Sequence, residues 1–181
     1  MEVPKMINDY EATEPIVPNS APITTENNPA VDVLNGLIEV CKDGQAGFEQ
    51  AAEGVTRPDL QTLFREYSYR RSHFVGELQS LVHSLGGNPE ISGTFTGALH
   101  RGWMNIKSVV TGKDEAAILS ECERGEDSAK NAYEEALEQS LPDYVRDVVN
   151  RQYAEILSAH DNVCALRDAA NNKTKTARSS R

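Results

Sequence analysis

Four stretches of this chain repeat apolar residues every three or four positions, and each carries charged or amide side chains on the apolar stripe itself. Stripes at that period predict amphipathic helices that bury one face against each other. Placing Gln45 and Glu49, Arg70 and Arg71, Glu126, or Gln152 and Glu155 near a bundle interior costs roughly several kcal/mol per unpaired ion. A metal cluster, or a polar network whose members satisfy one another, offsets that cost.

The first stripe, Leu34, Leu37/Ile38, Cys41, Gly44/Gln45, Phe48, Ala51/Ala52 and Val55, predicts a helix over about 30–54. Thr56 is expected to cap the next helix and Pro58 to open it. Leu60, Phe64, Tyr67, Arg71, Phe74, Leu78, Leu81 and Leu85 carry it to the stop Gly86-Gly87-Asn88-Pro89. A third helix over about 114–139 has Leu119, Cys122, Glu126, Ala129, Tyr133 and Leu137 on one face. After the break Ser140-Leu141-Pro142, a fourth points Val145, Val148/Val149, Gln152, Ile156, Ala159/His160, Val163 and Leu166 inward. So short a break makes helices three and four antiparallel neighbours. The connection over 86–113 is different. It contains an amphipathic piece, 98–110, with Leu99, Trp103, Ile106 and Val110 on one side. Part helix and part extended, it can span roughly 60 Å, against about 39 Å for a 26-residue helix, which permits helices two and three to run parallel. The fold expected is all-α: a four-helix bundle with a long crossover, containing a short helix, between helices two and three.

Residues 1–29, with Pro4, Pro15, Pro18, Pro22 and Pro29 among polar residues, show no period and read as a disordered arm. The bundle occupies 30–170, and 171–181 reads as a basic disordered tail with Lys173, Lys175, Arg178 and Arg181. A net charge of −10 argues against nucleic acid as a partner. No apolar run approaches the roughly 18 residues that span a bilayer. Cys41, Cys122 and Cys164 have no Cys-x-x-Cys spacing and read as reduced thiols. A soluble cytoplasmic protein is expected.

A carboxylate-bridged di-metal bundle takes one Glu from each of two helices and a Glu-x-x-His pair from each of the others. Here Glu49, His73, Glu126 and Glu155 are the candidate ligands for iron or manganese, but Arg70-x-x-His73 puts a cation where a bridging carboxylate belongs. His160 stands five residues past Glu155, about 140° round the helix, so that pair does not chelate from one regular helix. The competing reading is a buried polar layer of Gln45, Arg70, Arg71 and Gln152, in which Arg70 or Arg71 pairs with Glu126, Glu49 or Glu155 and no cofactor is bound. A third places these side chains on stripe flanks, reaching solvent. No phosphate loop, dinucleotide fingerprint, serine elbow or zinc-ligand spacing is present, and no residue is a candidate for nucleophilic catalysis.

The segments VLNGLIEVCKDGQAGFEQAAE, SGTFTGALHRGWMNIKSVVTGKDEAAILSECERGEDSAKNAYEEAL and LPDYVRDVVNRQYAEILSAHDNVCALRDA resemble a bacterial ferritin-like four-helix-bundle family of unknown function, over about residues 30–170. The resemblance implies a ferritin-like fold and a cytoplasmic bacterial protein, and implies no reaction. Three functions follow as expectations: a non-enzymatic module that associates with itself or serves in stress; a degenerate carboxylate protein binding iron or manganese; and an organic-ligand carrier with space at Gly44, Gly47 and Gly125.

Overall fold

The computed structural model describes residues 28–89 and 114–179, with side chains through Asn172. Among them are four helices and no strand: α1 (Pro29–Gly54), α2 (Pro58–Ser84), α3 (Glu115–Glu138) and α4 (Asp143–Ser179). The arm over 1–27 and the segment 98–110 with Trp103 lie outside the described residues.

The helix ends follow from local chemistry. Asn28 accepts a hydrogen bond from the N–H of Ala30 at 3.1 Å, and Pro29 sits at the first helical turn, so two residues read as arm open α1. Pro58 opens α2, but the cap is not Thr56. Arg57 holds that position without a side-chain cap, and pairs instead with Asp59 and, at 3.1 Å, with Glu115 of α3. Gln61 ties the turn by donating to the Val55 carbonyl at 2.9 Å. At the far end of α2, Gly86 takes a left-handed φ of 76°. Gly86 N–H bonds the His83 carbonyl at 3.0 Å and Gly87 N–H the Val82 carbonyl at 2.9 Å, the paired bonds of a Schellman cap. Asp114 caps α3 through the N–H groups of Ala116 and Ala117. Arg146 of α4 donates to the carbonyls of Leu137 and Gln139 at 2.6 and 2.7 Å, closing the short α3–α4 turn. α4 continues beyond residue 170 to Ser179, into the stretch expected to be a disordered tail. Neither Gly nor Pro interrupts it there, and Lys, Arg and Ala are good helix formers.

The core divides into two apolar clusters. One joins Leu34, Ile38 and Cys41 of α1 with Phe74, Leu78 and Val82 of α2, Ala129 to Ala136 of α3, and Val145 to Ile156 of α4. The other joins Phe48 to Val55, Leu60 to Tyr67, Ile118 to Cys122, and Ala159 with Val163. The first therefore collects the start of α1, the end of α2, the end of α3 and the start of α4. α1 and α4 run one way, α2 and α3 the other. α1 packs on α2 and α3, α4 packs on α3 and touches α2 lightly, and α2 and α3 face each other across the interior. Fully buried Phe48, Phe64 and Tyr133 contribute about 1.5–3 kcal/mol each through the area they remove from water.

Candidate functional site

A charged seam separates the two clusters. Cys41 and Phe48, Tyr67 and Phe74, and Cys122 and Ala129 are each seven residues apart on opposite sides of it, with Gly44, Arg71 and Glu126 between them. Arg71 is 3% exposed and Glu126 is fully buried. One guanidinium nitrogen, Nη2, donates to both carboxylate oxygens, at 2.7 and 2.6 Å. Gly44 lies against the Arg71 side chain, where a Cβ would stand 3.4 Å from Cδ and Nε, at contact distance. The Phe74 ring lies 5.6 Å from the guanidinium carbon, one turn along α2, and adds a cation–π contact. Arg71 Nε is buried without a hydrogen-bond partner. Burial pushes the Glu126 carboxyl above its ordinary range while Arg71 pulls it back. Burial also opposes the charge on Arg71, and Glu126 together with the neighbouring Cys41 and Tyr133 outweighs it.

A hydrogen-bond relay leads outward from beside this pair. Tyr133 donates from its hydroxyl to Gln152 Oε1 at 2.7 Å, which leaves the hydroxyl oxygen to accept from the Cys41 thiol at 3.1 Å. Gln152 Nε2 then donates to Glu77 Oε2 at 2.8 Å, and Arg151 to Glu77 Oε1 at 2.9 Å. The relay starts at a fully buried thiol and ends at partly exposed charges. Burial raises Cys41 from 9.0 to about 11, and lifts Cys122 and Tyr133 well above their ordinary values. All three hold their protons at neutral pH, so none is an activated nucleophile.

Of the sequence candidates, Arg71, Glu126 and Gln152 are buried in the interior, the first two as a pair and Gln152 on Tyr133. Arg70 and Gln45 are not. Successive helix residues turn by about 100°, so α2 directs one arginine inward and the other out. The Arg70 side chain is 44% exposed, 2.5 Å from Glu66 and 4.0 Å from Glu155. On α1 the inward position belongs to Gly44, leaving Gln45 half-buried. Glu49 is exposed, His73 is exposed with its Nε2 3.1 Å from the Tyr69 hydroxyl, and Glu155 lies beside Arg151 and Arg70. These three do not converge on Glu126. Among the described residues no group of three such side chains stands ready to hold a metal.

The relay was not foreseen because Tyr133 reads as one more apolar stripe residue. Its signal is the hydroxyl, which needs a partner wherever the ring is buried. Also missed is a cluster where α3 meets α4, Glu123, Asp127, His160 and Cys164, whose members stand one turn apart on each helix.

All three cysteines are unpaired, and no described helix is long and apolar enough to cross a membrane. No curated protein matches the chain. The family model for a domain of unknown function, DUF2383, matches residues 29–139, which takes in α1, α2, α3 and thus both halves of the Arg71–Glu126 pair. With more than half its length so matched, the chain belongs to the DUF2383 family.

Proposed function

We propose that this chain is a ferritin-like bundle of the bacterial cytoplasm that works by association, as a homodimer formed through the outer face of α2, and not as a metal-dependent enzyme. The fold reading rests on helix direction. α2 ends in one apolar cluster and α3 begins in the other, so the chain leaves α2 and enters α3 at opposite ends of the bundle, which supports a one-crossover topology. Three unpaired thiols suit a reducing compartment.

The observation that carries the functional reading is the guanidinium on both oxygens of Glu126. A di-metal centre would need that carboxylate for iron or manganese, and Arg71 instead places a permanent cation where a dication would bind. Such a pair adds little net stability over apolar packing; its contribution is to hold α2 and α3 in one register. The face offered for association is an open groove of about 470 Å³ along α2, lined by Tyr69, Ser72, His73, Gly76, Glu77 and Ser80. Tyr69 is 65% exposed at one end, and a Cβ on Gly76 would meet nothing within 4 Å. Two such faces related by a two-fold axis through Gly76 put the ring of Tyr69 over the small residues of the other copy, a self-complementary contact.

Sedimentation of wild type against Gly76→Glu tests this, since the substitution sets like charges across the axis without touching the core. The expected result is a dimer that Gly76→Glu dissociates. A monomeric wild type, or stoichiometric iron or manganese that disappears in Glu126→Gln, overturns the proposal.

A further inference from the structure

Where α3 lies against α4, four side chains of a different kind meet, well away from the α2 face. Glu123 and Asp127 are one turn apart on α3, and His160 and Cys164 are one turn apart on α4. Side chains at i and i+4 share a helix face, so each helix offers two donors to the same spot. Cys164 Sγ is 3.4 Å from Glu123 Oε1 and 3.6 Å from His160 Nε2, and His160 Nε2 is 3.0 Å from Asp127 Oδ1. Metal–ligand bonds of about 2.0–2.3 Å at tetrahedral angles place neighbouring donors roughly 3.3–3.8 Å apart. Two of the three contacts fall in that range and the third is slightly short.

We propose that Glu123, Asp127, His160 and Cys164 bind one zinc-class divalent ion that staples α3 to α4. The groups behind them suit this role. His160 Nδ1 lies 3.1 Å from Asp161 Oδ1, which holds a proton on that nitrogen, so that Nε2 is the one to give up its proton and take the ion. Arg167 holds the other oxygen of Glu123, Oε2, so that Oε1 points to Cys164. Glu123, Asp127 and Asp161 against Arg167 leave the spot net negative, which favours a dication. One thiolate and one imidazole with two carboxylates select zinc or cobalt over magnesium and calcium.

In this structure the donors bond one another, and no three stand round a ready metal position. Binding therefore requires small turns of the side-chain tips, which are 17% exposed at His160, 18% at Glu123 and 54% at Asp127 and can turn without disturbing the core. The ion takes the place of two protons, that of the Cys164 thiol and the one His160 Nε2 presents to Asp127, both released to solvent.

The test is cobalt(II), the spectroscopic stand-in for zinc, titrated into the full-length, chelator-stripped protein under reducing conditions. Saturation at one ion per chain is expected, with the intense visible bands of tetrahedral cobalt and a thiolate-to-cobalt charge-transfer band, all bleached by added zinc. Cys164→Ser should remove the charge-transfer band. His160→Gln and Asp161→Asn should weaken binding by about tenfold or more. Zinc should raise the thermal midpoint of wild type but not of the Cys164→Ser/His160→Gln double variant, whose metal-free midpoint reports that it folds. Weak octahedral bands alone, binding without saturation at one equivalent, or wild-type spectra in the double variant overturn the proposal.

Discussion

The seam at Arg71 and the cluster at Cys164 are both polar contacts between helices, and they are closed by opposite means. In the seam, the carboxylate of Glu126 meets a guanidinium supplied by the chain, walled in by Gly44 and Phe74. At the α3–α4 edge, carboxylates face an imidazole and a thiol, and the charges do not balance within the set. The interior pair balances its own charge and is closed off from water, although Arg71 Nε is left without a hydrogen-bond partner. The edge cluster is half-open to water and acid-rich, so an external cation improves it. Depth decides the difference: an unbalanced charge is tolerable at the edge, where water screens it, and costly in the seam, where nothing does.

The largest effect should come from breaking the seam. Glu126→Ala leaves the Arg71 guanidinium buried and uncompensated, and should destabilise the bundle by about 3–5 kcal/mol in denaturant unfolding. Arg71→Met in the same chain should recover much of that loss, because the two side chains then leave together. Additive losses in the double mutant would mean that the pair is not the closed unit described. The matching change at the edge, Asp127→Ala, should cost far less, since that side chain is 54% exposed.

The relay gives an intermediate effect and a pH dependence. Tyr133→Phe removes the hydroxyl between Cys41 and Gln152 and leaves the amide oxygen of Gln152 buried without its partner, for a loss of about 1–3 kcal/mol. Cys41 holds its proton up to about 11 in the folded chain, against 9.0 ordinarily. The folded state is therefore the more protonated one in that window, and stability falls as pH rises from 9.0 towards 11. Cys41→Ala should flatten that alkaline slope in thermal unfolding under reducing conditions. An unchanged slope would assign the alkaline loss to Cys122 and Tyr133.

Helix number and most helix ends were legible because each rests on chemistry local in sequence: a stripe of period near 3.5, Pro58 at a helix start, Gly86 at a left-handed turn. Arg57 was harder, because its donor-only guanidinium stands at the cap position without capping, and the partner that fixes it, Glu115, is far along the chain. The depth of Glu126 and Gln152 was readable from their place in the middle of a stripe. The edge cluster was not, because it depends on the flanks of two helices meeting, and a stripe locates its centre far better than its rim. His160 looked irrelevant when paired with Glu155 on its own helix; its partners are Cys164 one turn on and Asp127 on the neighbouring helix.

Arg70 and Arg71 offer the smallest and sharpest test, because they are adjacent in sequence and differ only in which way the helix turns them. Arg70→Ala removes contacts with Glu66 and Glu155 from a side chain that is 44% exposed. Exposed ion pairs contribute about 0–1 kcal/mol, and alanine is the better helix former, so the net change should stay within about 0.5 kcal/mol. That residue should also show its effect only at low salt, where surface charges are unscreened. Arg71→Ala should cost several kcal/mol at any salt, since it leaves the Glu126 carboxylate buried alone. Equal losses for the two, or a strong salt dependence for Arg71→Ala in chemical denaturation, would place the seam in contact with water and erase the distinction between interior and edge.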